Sequence, residues 1–120
     1  MLSAKEVAYE VTKALDSKKG MDIKLLRINE ISSLADYFLI CTGTSNTHVK
    51  TLCDYAEDTL EKLGEKLLGL EGHRGNSWEL LDYGSLVVHV FTQEAREFYS
   101  LERLWADAEQ VDISSIVIEE

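Results

Sequence analysis

Residues 37–41 read Tyr-Phe-Leu-Ile-Cys, five consecutive side chains without a charge or an amide. Successive side chains of a strand point to opposite faces, so such a run has to be covered on both sides and belongs at the centre of a sheet. The fold must therefore supply amphipathic elements for two faces. The sequence contains no proline, no low-complexity tract and no internal repeat. One domain spanning 1–120 follows, with a core of about 3–107 and a tail, 108–120, that either adds an edge strand or frays.

The covering elements are legible. Ser3-x-x-Glu6 is a capping box, and Leu2 and Val7 stand at the positions of a hydrophobic staple around it. Ala4, Val7, Ala8, Val11, Ala14 and Leu15 then keep helical spacing up to Gly20, which ends the helix. Ile23, Leu25 and Ile28 make a short strand before the apolar run. Thr42-Gly43-Thr44-Ser45-Asn46 turns the chain and caps a second helix. In that helix Val49, Leu52, Cys53, Ala56, Leu60, Leu63 and Leu67 form the apolar face, and Asp54, Glu57, Asp58, Glu61 and Glu65 a solvated acidic stripe. Lys66–Leu70, Trp78–Tyr83 and Leu86–Thr92 read as strands. A polar loop fills 71–77, and Glu94–Trp105 is a final amphipathic helix. The order α-β-β-α-β-β-β-α predicts an α/β (α+β) domain with a single mixed sheet of about five strands flanked by helices.

Composition narrows the function. With 45% apolar and 28% charged residues and no long apolar run, membrane insertion is set aside. The N-terminus has neither a secretory apolar core nor the Arg-rich character of a transit peptide, so the cytoplasm is expected. Cys41 and Cys53 lack a C-x-x-C spacing and fall at apolar positions, as small core residues do. The formal net charge of -10 argues against a grip on naked nucleic acid. Residues 1–27 carry six basic and four acidic groups, leaving six basic and eighteen acidic for the rest. Such an acidic body suits a basic protein partner, or is simply a soluble surface.

A search for catalytic chemistry returns little. Strand, Gly43-Thr44-Ser45, then helix is a place where phosphates bind. The turn is similar to the one that opens nucleotidyltransferase sites, and a nucleotide-handling enzyme is the alternative reading. Those enzymes, however, place paired carboxylates on the next strand, and Lys66–Leu70 has no Asp-x-Asp. No P-loop or dinucleotide motif is present, and an N-cap is the simpler role for Thr44 or Ser45. His48, His73 and His89 lack metal-ligand spacing, and Ser45 is not in a nucleophile elbow. No metal and no cofactor is expected.

The hairpin is more informative. A two-residue turn at Gly84-Ser85 sets Tyr83 opposite Leu86, Asp82 opposite Val87, Leu80 opposite His89 and Trp78 opposite Phe91. One face then carries Leu81, Tyr83, Leu86, Val88 and Val90, with Glu79 its one polar member. The other carries Trp78, Leu80, Asp82, Val87, His89 and Phe91. Aromatic anchors mixed with a carboxylate and an imidazole suit a surface that meets another protein. They also suit an ordinary core with Asp82 and His89 paired or at its rim, and the sequence leaves both open.

Three linked segments carry a resemblance. Asp36-Tyr37-Phe38-Leu39-Ile40-Cys41-Thr42-Gly43-Thr44-Ser45-Asn46-Thr47-His48-Val49 resembles the first signature of the ribosomal silencing factors, also called the Iojap family. Trp78–Phe91 resembles the second signature, and 96–105 (Arg-Glu-Phe-Tyr-Ser-Leu-Glu-Arg-Leu-Trp) follows in order, so that the likeness runs to about Asp107. It implies a nucleotidyltransferase-like fold without catalytic residues and a protein that is not an enzyme. Members bind large-subunit ribosomal protein fourteen on the large ribosomal subunit, block joining of the small subunit and lower translation when nutrients are scarce. They can also form homodimers. The resemblance places partner binding on Trp78, Asp82, Tyr83, His89 and Phe91; the face argument adds Leu80. Three departures stand out: Ser85 where an aspartate is common, Thr47 where an arginine is frequent, and no proline before Glu71-Gly72.

Overall fold

The computed structural model describes residues 2–72 and 77–116. The expected run becomes strand β2 (Tyr37–Gly43), in which every residue is buried. It pairs in parallel with β5 (Leu86–Thr92) and antiparallel with β1 (Met21–Arg27). β4 (Trp78–Asp82) and β3 (Gly69–Glu71) extend the sheet beyond β5, and β6 (Glu109–Val111) closes the side beyond β1. The strand order is β3-β4-β5-β2-β1-β6. Among the described residues six strands thus stand where about five were expected. The sixth comes from the tail, where Gln110 sits opposite Leu26 and Val111 opposite Leu25. Val111 and Ile113 are buried in the core, which therefore does not stop at 107.

Alternation along the strands separates two apolar clusters. Leu25, Leu39, Cys41, Leu81, Val88 and Val90 point to one face. Helices α1 (Ala4–Ser17) and α2 (Asn46–Lys62) cover it with Val7, Val11, Leu15, Val49, Leu52, Ala56 and Leu60. Leu26, Ile28, Phe38, Ile40, Val87 and Phe91 point to the other face. The capping box forms in full, Ser3 Oγ accepting from Glu6 N–H and Glu6 Oε1 from Ser3 N–H. Gly20 acts differently from a helix terminator. Lys19 takes the left-handed conformation (φ 65°), while a Cβ on Gly20 would sit 2.5 Å from Cys41 Sγ, so the glycine permits close approach to β2.

Two further expectations are corrected. The strand foreseen at Lys66–Leu70 begins later, at Gly69, because α2 ends at Lys62 and Gly64 turns the chain at φ 82°. Leu67 lies beyond the helix yet still packs on the first core. The helix foreseen over Glu94–Trp105 is broken at Ser100, whose left-handed backbone (φ 47°) divides α3 (Gln93–Tyr99) from α4 (Leu101–Leu104). The break turns Trp105 toward Phe38, at 5.3 Å between ring centroids, and leaves Phe98 and Leu104 exposed. The middle of the 71–77 loop with His73, and Val117 and Ile118 of the tail, lie outside the described residues.

Candidate protein-binding site

The hairpin forms in the register its turn dictates: Trp78 opposite Phe91, Leu80 opposite His89, Asp82 opposite Val87. Tyr83 N–H donates to Leu86 O across Gly84-Ser85 at 2.9 Å, and Gly84 takes φ 84°. Asp82 Oδ1 accepts from Gly84 N–H at 2.8 Å, so the carboxylate braces the turn with one oxygen. Ser85 serves through its backbone, its carbonyl accepting from Asp36 and Tyr37 N–H. At the entry to β4, Gly72 (φ 82°) lies against the backbone of Trp78, and a Cβ there would overlap the Trp78 carbonyl.

The structure divides the predicted site residues into three groups. Tyr83 belongs to the helix-covered face and is buried there; burial, aided by Glu57 and Glu61 of α2, pushes its phenol up to about 12. Glu79 is buried on the same face, and burial, aided by the neighbouring Glu79 carboxyl, pushes the Cys53 thiol up. His89 and Phe91 lie on the opposite face beneath α3, 3% and 1% exposed, and offer a partner no direct contact area. Trp78, Leu80 and Asp82 on β4 are the half-exposed members. The face is thus core along β5 and open along β4. His89 is not paired with Asp82: its Nδ1 accepts the Trp78 indole N–H at 3.3 Å. Burial alone lowers the imidazole to about 4, so it is neutral at ordinary pH.

Residues outside the predicted set complete the open strip. Glu71 sits opposite Leu80 on β3 and is exposed. Tyr99 lies 4.4 Å from Trp78 between ring centroids and Phe98 5.1 Å from Tyr99. Phe98 is 79% exposed, the largest exposure among the described large apolar residues. One signal for these was present: Phe98 and Tyr99 are two bulky aromatic neighbours that project about 100° apart on a short helix, which lets one of them lie outside the core. Arg96 was also missed as a structural hub. Its Nη1 donates to Asp22 O at 2.6 Å and Thr42 Oγ1 at 2.7 Å, and its Nε to Glu102 Oε1 at 2.8 Å. These bonds pin α3 to β1, β2 and α4, and Arg96 holds the Glu102 carboxyl below its ordinary range.

The Gly43-Thr44-Ser45 turn is largely occupied with its own helix. Ser45 Oγ accepts from His48 N–H, and His48 Nδ1 accepts from Thr44 N–H at 2.8 Å. His48 Nε2 then donates to Lys18 O at 2.9 Å, tying the α2 cap to the end of α1. A Cβ on Gly43 would lie 2.9 Å from Val49, so the glycine serves packing. Burial pushes the Cys41 thiol up to about 12, which suits a core residue. Among the described residues no three His, Cys, Asp or Glu side chains are grouped to hold a metal. None of the described helices is long and apolar enough to cross a membrane.

A mixed sheet covered by two helices on one face, with an aromatic and acidic strip only partly covered on the other, defines an α/β domain with one partly open sheet face. The chain belongs to the ribosomal silencing factor family: it matches the family described as ribosomal silencing factor during starvation over residues 1–120. It is 37% identical over 112 residues to ribosomal silencing factor RsfS of Bacillus subtilis, covering 93% of this chain and 95% of that one. A crystal structure of a Chromobacterium violaceum protein superposes with a TM-score of 0.85 at 34% identity, covering 88% of each chain. The mouse protein named mitochondrial assembly of ribosomal large subunit protein 1 is 31% identical over 94 residues, 76% of this chain and 41% of its own length.

Proposed function

We propose that this protein binds the large ribosomal subunit through large-subunit ribosomal protein fourteen and so sterically blocks small-subunit joining. On this reading it represses translation under nutrient limitation, acts in the cytoplasm and catalyses no reaction. The observation that carries it is the open β4 strip, Trp78, Leu80 and Asp82, continued by Tyr99 and Phe98 and rimmed by Glu71. An aromatic centre with an acidic edge fits a basic protein surface that carries an apolar patch. Relatives named as ribosomal silencing factors, and one named for large-subunit assembly, point the same way.

Sedimentation of the pure protein with isolated subunits tests the proposal. Cosedimentation with large subunits is expected, with loss of joined ribosomes when small subunits are added. Cosedimentation with neither subunit, or with small subunits only, would sink it. Calorimetry with nucleoside triphosphates and magnesium should give no heat of binding, because the turn that would meet a phosphate already satisfies its own cap.

A further inference from the structure

We propose that His89 is the positioning residue of the docking strip: its neutral imidazole, carrying the proton on Nε2, accepts the Trp78 indole N–H at Nδ1 and holds that ring against Tyr99. The effect on ribosome binding rests on the function proposed above. The positioning itself rests on geometry.

Trp78 stands at the border between the part of the face that α3 covers and the part it leaves bare. Its ring stacks on Phe91 at 5.1 Å and on His89 at 6.1 Å, with interplanar angles of 22° and 28°. Tyr99 meets it at 4.4 Å. Stacking fixes the height of a ring above a sheet but allows it to slide and turn. The indole N–H to Nδ1 bond is the directional contact that fixes its orientation. His89 can make that bond because it lies diagonal to Trp78, opposite Leu80 in the register, within reach of a large side chain.

The imidazole is costly where it stands. Since Nδ1 is the acceptor, the neutral ring carries its hydrogen on Nε2. That nitrogen is buried and has no hydrogen-bond partner among the described residues. Around the ring are Phe38, edge-on at 4.8 Å, and Phe91, parallel within 6°. A leucine would fill the space without stranding a donor, so packing alone does not account for histidine here. What histidine adds is a lone pair aimed at the indole.

The same geometry makes the arrangement depend on charge. An imidazolium has no lone pair, and its Nδ1–H would confront the indole N–H. Of the elements packed around His89, β4 contributes Asp82 to this face and β3 contributes Glu71. α3 contributes Tyr99 and, at the Thr42 end, Arg96. The neighbouring positions on β2, Phe38 and Ile40, are apolar. Burial dominates, and it keeps the ring neutral until well below neutral pH.

The test follows the indole N–H of Trp78 by nitrogen-15 NMR, with Trp105 as internal control, in parallel with binding to purified large ribosomal subunits. His89→Leu should accelerate exchange of the Trp78 indole proton and weaken binding roughly tenfold, about one net hydrogen bond. His89→Asn places an acceptor oxygen where Nδ1 was and should restore protection and most of the affinity. In a Trp78→Phe background, which has no indole N–H, His89→Leu should weaken binding no further. Unchanged indole exchange in His89→Leu overturns the proposal, as does an asparagine no better than leucine. If His89→Leu does not fold, the asparagine variant and acid titration of the wild type decide: the Trp78 indole resonance must move as the imidazole protonates. If the wild type binds no large subunits, the ribosomal reading falls, while the exchange data still decide the positioning role.

Discussion

The two faces of the sheet are built from the same alternating strands, yet they end differently. On one, α1 and α2 lie side by side; helices about 10 Å wide together span roughly four strands spaced about 4.8 Å apart. On the other, α3 has seven residues and α4 four, and one helix width covers about two strands. The shortfall falls on β4 and β3. The open strip is thus a remainder of cover, and whether a side chain is core or surface depends on which side of that border it lies.

The comparison can be broken first at its deepest points. Leu52→Ala on the closed face should cost about 2–5 kcal/mol and Phe91→Ala beneath α3 about 3–5 kcal/mol by urea denaturation, because both side chains are fully buried. A loss at Phe91 under about 1 kcal/mol would mean that the second face is no core at all. Acid should separate the faces next. His89 titrates near 4 when folded and near 6.5 when unfolded, so below about 6.5 the unfolded chain takes up the proton first. His89 should therefore lower stability by roughly 3 kcal/mol as pH drops from about 6.5 to about 4, and His89→Asn should remove that share of the slope. Urea midpoints across this range give the answer.

Function is probed at the border. Trp78→Ala should reduce large-subunit binding by at least about 30-fold, the effect of a hot-spot aromatic, with an unchanged circular dichroism spectrum. Asp82→Lys should abolish binding, with a further stability loss of about 1 kcal/mol because Gly84 N–H loses its acceptor. A collapsed spectrum in Trp78→Ala would extend the core across β4. The smallest effect is Ser3→Ala, about 1 kcal/mol from the lost cap in thermal melts, with binding untouched.

Much of this was legible because local chemistry decides it. A two-residue turn fixed the hairpin register, and strand alternation then sorted twelve side chains to their faces without reference to anything distant. Which face stays open was not legible, since it depends on the break at Ser100, and residues 94–105 keep a helical pattern straight through it. β6 was legible only as one of two alternatives for the 108–120 tail, and its place within that tail was hidden for a related reason. Glu109-Gln110-Val111 has no strand-like pattern and becomes a strand only by pairing with Leu25–Arg27. Recognition of the family came from its signature segments, whereas the split between Trp78, Leu80 and Asp82 above and His89 and Phe91 below required burial.

Gly72 carries a lesson for anyone mapping this surface by mutational scanning. Its backbone rests on the Trp78 carbonyl, so any side chain installed there must shift the first residue of β4, and with it the indole. Such a variant would score as binding-deficient while touching no partner. Epitope maps built from loss of signal would then draw the footprint one residue too wide, unless each hit is paired with a reading of the tryptophan itself.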